Sequence, residues 1–378
     1  MRTAGGSLGS GGGVENAAGT LTVSGGSFTG NASGSASLEI NDAEAALAGN
    51  GGGIDNAATL HVRGTMFTED STGTAAFAGL AGSGTGGAID NSAAMTVEGA
   101  TFTKNKTGDA SRSTGAGGGG GIFNGGTAAV STSTLNANST GVGGESGPGG
   151  PGAGILNNGT LTVSASTLSG NSPGNGGAGA FTDPGPGTPG GAGGSGGAIA
   201  NRGTLTVGDS TVYGNGVGAG GAGGNNAPAG PVGHAGGILN EAGSARLAYL
   251  TIAFNVGGIA AVGGITEVNG SIIAASTSGP NCEGSPTEGA GHNLDSGTSC
   301  GLKLAGDQSG FEPLLGPLVN NGGPTSTLAL LAGSPAIDAG GTTAAGCPAN
   351  DQRGVARPDE AGDAGACDIG AFESQGLG

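Results

Sequence analysis

Tryptophan is absent from this 378-residue chain, tyrosine occurs twice, and aromatic residues make up only 3%. Few flat rings remain on which sugars or bases could stack. Basic residues are scarce too: 10 Lys and Arg stand against 27 Asp and Glu, a formal charge of −17. Such a chain repels phosphate backbones and anionic bilayers, so nucleic acid is not an expected partner. No run approaches the roughly 18–20 apolar residues of a membrane-spanning helix, and the opening MRTAGGSLGSGGG holds no apolar stretch fit for a secretory signal.

What the chain has instead is glycine, 94 residues, with 16 prolines. That composition works against helical and doubly wound folds, and the absence of a strict third-position repeat excludes collagen. A glycine-punctuated repeat or disorder is left. Cysteine is confined to the last hundred residues, at Cys282, Cys300, Cys347 and Cys367. These spacings fit no CxxC metal pattern and suggest two disulfides, for which three connectivities exist. Pairing Cys282 with Cys300 and Cys347 with Cys367 closes the shortest loops and is favoured. Disulfides imply an oxidising compartment, which with no signal at the start predicts further sequence upstream.

A repeat decides between the two options. A branched apolar residue, any residue, then Asn recurs after glycines, ending at Asn16, Asn56, Asn91, Asn124, Asn157, Asn201 and Asn240. Behind each comes an alternating run, such as Leu21 and Val23, Leu60 and Val62, or Leu161 and Val163, which is strand-like. Five residues on stand Phe28, Phe67, Phe102, Leu135, Leu168, Val212 and Ile252, each followed by a second amide or acid: Asn31, Asp70, Asn105, Asn138, Asn171, Asn215 and Asn255. A decayed eighth copy carries Ile265, Ile273 and Ser276.

One such unit cannot bury its few apolar side chains, whereas stacking units ~4.8 Å apart buries them in a continuous column. The pattern therefore predicts an all-β, right-handed parallel β-helix of about eight coils over residues 1–276, with the Asn residues as structural ladders. Successive first-ladder Asn residues lie 33 to 44 positions apart, far more than a minimal coil needs. The excess always follows the second Asn, so glycine-rich insertions such as 174–197 and 216–237 should emerge along one edge. Residues 277–378, with the disulfides, are expected to cap the solenoid's open end, which would otherwise expose unpaired strands.

The GGAI-like motifs (Gly86 to Ile89, Gly196 to Ile199) with FxxN motifs (Phe28 to Asn31, Phe102 to Asn105) resemble the polymorphic outer-membrane-protein repeat of the pectate-lyase-like superfamily. GPLVNNGGPTSTLALLAGSPAIDAG (Gly316 to Gly340), CPANDQRGVARP (Cys347 to Pro358) and CDIGAFE (Cys367 to Glu373) are similar to the choice-of-anchor Q domain of bacterial surface and secreted proteins. The resemblance implies a secreted β-helical surface protein, ordinarily with an attachment signal beyond the last motif; only Ser374 to Gly378 follow here.

Candidate sites are few. Between the apolar residue and the Asn stand Glu15, Asp55 and Asp90, then Phe123, Leu156, Ala200 and Leu239. Three carboxylates at rung spacing repel one another unless solvated or bridged, which makes calcium the one candidate cofactor. Similar superfamily enzymes set calcium-binding acids beside an Arg or Lys base, and the nearest analogue is this stripe with Arg63. The preferred reading of Arg63 is a surface ion pair with Glu98 in the next coil. His61, His234 and His292 have no evident partners, and no paired aspartates, GxSxG or HExxH support hydrolase chemistry. Thr20 and Thr22, Thr160 and Thr162, and Thr204 and Thr206 form Thr-x-Thr pairs suited to binding ice, interrupted at His61, Ala94, Ala129 and Arg246. Asp351, Arg353, Arg357, Asp368 and Glu373 belong to the choice-of-anchor Q motifs, and are read as ion pairs and turns of the cap ahead of attachment or processing. The expectation is a non-enzymatic secreted or cell-surface protein of adhesion or envelope structure that meets a host, envelope or glycan surface. The alternatives are a lyase or hydrolase of an acidic glycan and an ice-binding surface.

Overall fold

The computed structural model describes residues 9–35, 48–75, 83–111, 114–342, 346–358 and 366–375. The opening eight residues and parts of the first three insertions lie outside them.

Short strands wind into a right-handed parallel β-helix with three sheets. Each coil gives one strand to each sheet, as in the first, with Val14–Asn16, Thr20–Ser24 and Ser27–Thr29. Period-two alternation sends Leu60 and Val62, Met95 and Val97, or Leu161 and Val163 inward, where they are buried in one continuous core. In the third sheet the inward residue is the central one of three. There Phe28, Phe67 and Phe102 stack, with ring centroids 5.0 and 4.8 Å apart. The first ladder runs Nδ2 to Oδ1 from Asn16 through Asn240, with steps between 2.6 and 2.8 Å. It ends where Asn240 donates to the Thr266 hydroxyl at 2.9 Å. The second ladder joins Asn105, Asn138, Asn171, Asn215 and Asn255 through both side-chain and backbone donors.

Among the described residues nine coils are complete, rather than eight. Cys282–Gly284, Thr287–Gly291 and Leu294–Asp295 make the ninth, and Gln308–Ser309 adds a tenth strand to the third sheet. The solenoid thus continues beyond residue 276, through residues that carry too little of the repeat motif to be counted by pattern. In the eighth coil, Ile265 pairs in register with Ser244 and points outward, leaving the inward place to Thr266.

The end is closed close to the chain's last coil. Cys282 and Cys300 are disulfide-bonded and buried against the core, with Leu302 packed beside them. The second disulfide joins Cys347 to Cys367. Of residues 277–378, expected to cap the end, the described ones from 310 onward instead form a strap along the outer face of the third sheet. Its antiparallel hairpin, Leu315–Val319 with Thr327–Leu330, is followed by segments that reach back to the fifth and sixth coils. Gln352 bridges the Thr167 and Thr211 hydroxyls, Thr325 donates to the Ala165 carbonyl, and Thr251 accepts from the Ala371 N–H. Leu330, Ile369 and Phe372 cover Ile272, Ala274 and Leu294.

Arg357 holds this strap. Its side chain is fully buried, 3.2 Å from Glu373 and 3.7 Å from Asp209 of the sixth coil, and it donates to the Asp368 and Gly370 carbonyls. Arg353 pairs with Asp351 at 2.7 Å and lies over the Phe372 ring. These motif residues therefore tie the strap to the solenoid's side instead of closing its end.

The insertions lack apolar mass and gain order through their backbones. Each of the longer ones is a hairpin of two extended legs that hydrogen-bond to the corresponding leg of the next coil at every third residue. Gly143 and Ser146 donate to Asn175 and Ala178, and Gly176 and Gly179 to Ala219 and Ala222. Return legs do the same, as from Gly190 and Gly193 to Pro228 and Pro231, and the legs of a hairpin are cross-linked, as from Gly191 to Gly177. That period is the three-residue turn of polyproline II. Glycine fills the positions that face a neighbouring leg: a Cβ on Gly177 would lie 1.6 Å from the Gly144 oxygen. The third residue of each triplet, such as Asn175, Ala178, Ala219 or Ala222, faces solvent.

Candidate functional site

The residue between the apolar position and the Asn forms one column on the outer face of the first sheet. Glu15, Asp55, Asp90, Phe123, Leu156, Ala200, Leu239, Ala260 and Glu283 follow one another in register. Glu15 is exposed, Asp55 half-buried and Asp90 buried. Burial raises the Asp90 carboxyl to about 7, against a short hydrogen bond from the Thr85 hydroxyl and with the Asp55 charge adding to the rise. Burial also raises Asp55, opposed by the Ser10 hydroxyl and reinforced by Glu15.

From the fourth coil to the eighth the column turns apolar, and the return legs of the insertions stand over it. Phe123, Leu156 and Leu239 floor a groove of about 710 Å³, walled on one side by Gly115–118, Pro148–Pro151 and Gly193–Ser195. On the other side the Arg202–Glu241 ion pair, at 2.6 Å, lies in reach, and Thr85 places Asp90 at the groove's first end. The groove was not legible in the sequence. Its only trace is that the column loses its charge at the coil where complete triplet-bearing insertions begin.

The acidic stripe and Arg63 are not brought together. Arg63 ends Thr59–Arg63 of the second sheet, faces solvent, and lies 3.6 Å from Glu98. Calcium takes six to eight oxygens around one point, whereas Glu15, Asp55 and Asp90 project side by side along a column. Among the described residues no group of three or more His, Cys, Asp or Glu could hold a metal. His61 meets the Thr96 hydroxyl at 2.7 Å, His234 meets Glu283 at 2.9 Å, and His292 meets the Ala339 carbonyl at 2.9 Å. The Thr-x-Thr pairs lie on the exposed face of the second sheet, where Thr96 extends the column and His61, Ala129 and Arg246 interrupt it.

No protein-family model matches the chain, and neither a curated protein nor a solved structure matches it. Among the described residues no helix is long and apolar enough to cross a membrane.

Proposed function

We propose that this chain is a non-enzymatic β-helical protein of the bacterial exterior, secreted or held at the cell surface, which acts by contact in adhesion or envelope structure. The observation that carries this reading is the groove. Its floor is a registered row of apolar side chains, its wall is hydrogen-bonded backbone, and among the described residues the basic side chains lining it, Arg202 and His234, are already paired with Glu241 and Glu283. Such a surface recognises an extended partner through repeated shallow contacts rather than positioning a nucleophile and a base. The C-terminal motifs similar to the choice-of-anchor Q domain support an exterior location, with which two disulfides are compatible.

The test is binding of the full, disulfide-intact chain to immobilised host proteins, envelope polymers and glycans. Phe123→Asp should abolish capture on at least one class, and Asp55→Ala should leave it intact. Capture of nothing, or capture indifferent to Phe123→Asp, would overturn the reading. One observation favours the rival, an enzyme acting on an acidic glycan: a carboxyl that titrates near 7 stands at the groove's end, where a general acid or base would be useful. The ice-binding alternative rests on the Thr columns alone.

A further inference from the structure

The glycine layer has an open edge. From the fourth coil to the sixth, each leg passes N–H groups at three-residue intervals to the leg that follows it. The eighth coil has no long insertion: Asn255 is followed at once by Val256, Gly257 and the strand beginning at Ile259. Nothing therefore follows the two legs of the seventh-coil side, residues 216–225 and 227–234. The places that Gly143 and Gly176 occupy in earlier outgoing legs fall here on Gly220, and those of Ser146 and Gly179 on Gly223. In the return leg, Gly190 and Gly193 are succeeded by Ala229 and Val232. Among the described residues, the N–H groups of Gly220, Gly223, Ala229 and Val232 have no acceptor.

Beside this edge the surface is apolar. Val232 is 61% exposed. With Val217, Val256 and Pro280 it lines a pocket of about 110 Å³ that the His234–Glu283 pair borders. A strand edge with free donors is a template for another strand. Here the free donors recur every three residues instead of every two, so they fit a different ligand conformation.

We propose that this edge binds a glycine-rich polypeptide segment in polyproline II form, which docks as one more leg of the layer. Its carbonyl groups accept from Ala229 and Val232, or from Gly220 and Gly223, at the three-residue pitch. Glycine is required at every third position of the partner for the same reason that it is required within the layer. A Cβ on Gly230 or Gly233 would stand 1.9 or 2.0 Å from the oxygen of the preceding leg, and an incoming leg meets Gly230 and Gly233 in the same relation. An apolar third residue would seat against Val232 and the pocket. This site touches the groove only at His234, which lines both, and its backbone donors lie outside the groove, so it stands or falls independently of the function proposed above.

Proline supplies the test, because it keeps the polyproline II backbone and removes the N–H, at Val232 together with part of the apolar contact. The probe is a fluorescein-labelled 15-residue peptide of five Gly-Gly-Ala triplets, titrated with the full chain and followed by anisotropy. Wild type should bind saturably, and the Ala229→Pro, Val232→Pro double variant should bind about tenfold or more weakly, the loss expected for two backbone hydrogen bonds. Its circular dichroism and melting should match wild type. A Gly-Ser alternating peptide of equal length should bind wild type as weakly. On wild type itself, the triplet peptide should slow amide exchange at Ala229 and Val232, a readout independent of the variant's folding. No saturable binding at millimolar chain, equal binding of the Gly-Ser peptide, or unchanged exchange at both amides would overturn the proposal. So would self-association of the free chain that the double variant abolishes, since the edge would then belong to a second copy.

Discussion

Asp70 is the one acid in a ladder of amides, and replacing it with Asn should stabilise the protein. Its Oδ1 accepts from the Asn31 N–H and Nδ2 at 2.8 and 2.7 Å, but its buried Oδ2 has no hydrogen-bond partner. In the following coils the equivalent atom is an Nδ2. Asn105 donates from it to the Phe67 carbonyl at 3.1 Å and to Asn138 at 2.9 Å, and Asn138 donates to the Phe102 carbonyl at 3.0 Å. By the repeat, Oδ2 of Asp70 sits where a donor should face the Phe28 carbonyl and Asn105. Asp70→Asn would supply two hydrogen bonds, each worth roughly 0.5–1.5 kcal/mol net, for a gain of about 1–3 kcal/mol at neutral pH. Burial holds the Asp70 carboxyl above its ordinary value of 3.8. As pH rises through the window between the ordinary and the raised value, the unfolded chain releases its proton first, and native stability falls. The Asn variant lacks that slope. Its advantage should be smallest in acid and reach its full size above the raised value. Denaturant midpoints of both proteins across pH 4 to 8 would decide it. An Asn variant no more stable than wild type, or an advantage that shrinks with rising pH, would refute the reasoning.

Asp90 should act similarly: its carboxyl, raised to about 7 by burial, costs stability as pH climbs from about 4 to about 7, and Asp90→Asn should flatten that part of the profile. Gly177→Ala drives a Cβ into the Gly144 oxygen and should destabilise by about 2 kcal/mol or more with faster amide exchange across residues 173–197, whereas Gly216→Ala, 3.6 Å from the nearest atom, should cost far less. Arg357→Met leaves the buried carboxylates around it without their shared cation; a loss of about 3–5 kcal/mol is expected, read as early proteolytic cleavage within residues 310–358.

Much of the solenoid was legible because its chemistry is local and repeated. The Asn at the end of each first strand and the period-two apolar pairs name the coil, its turns and its inward face. Three things were hidden for physical reasons. The ninth coil has Cys282 and the buried Asp295 in the places of the motif's apolar residues, so no pattern marks it. The strap's position depends on contacts 120 to 185 residues apart, such as Ala371 with Thr251 and Gln352 with Thr167, which no spacing rule carries. The glycine layer has a local signal, the triplets from Asn175 and from Ala219, but these are too short to register as a chain-wide third-position repeat. The acidic stripe was visible as a column. That Phe123, Leu156 and Leu239 continue it as a groove floor required the return legs to be in place.

The most direct test of the contact reading is turnover of acidic and neutral polysaccharides by the folded, disulfide-intact chain, with and without calcium, followed by reducing ends and unsaturated uronate. The account predicts no product above a boiled control under either condition. Calcium-dependent product that disappears in Asp55→Ala would contradict it and place an active site on the stripe of Glu15, Asp55 and Asp90.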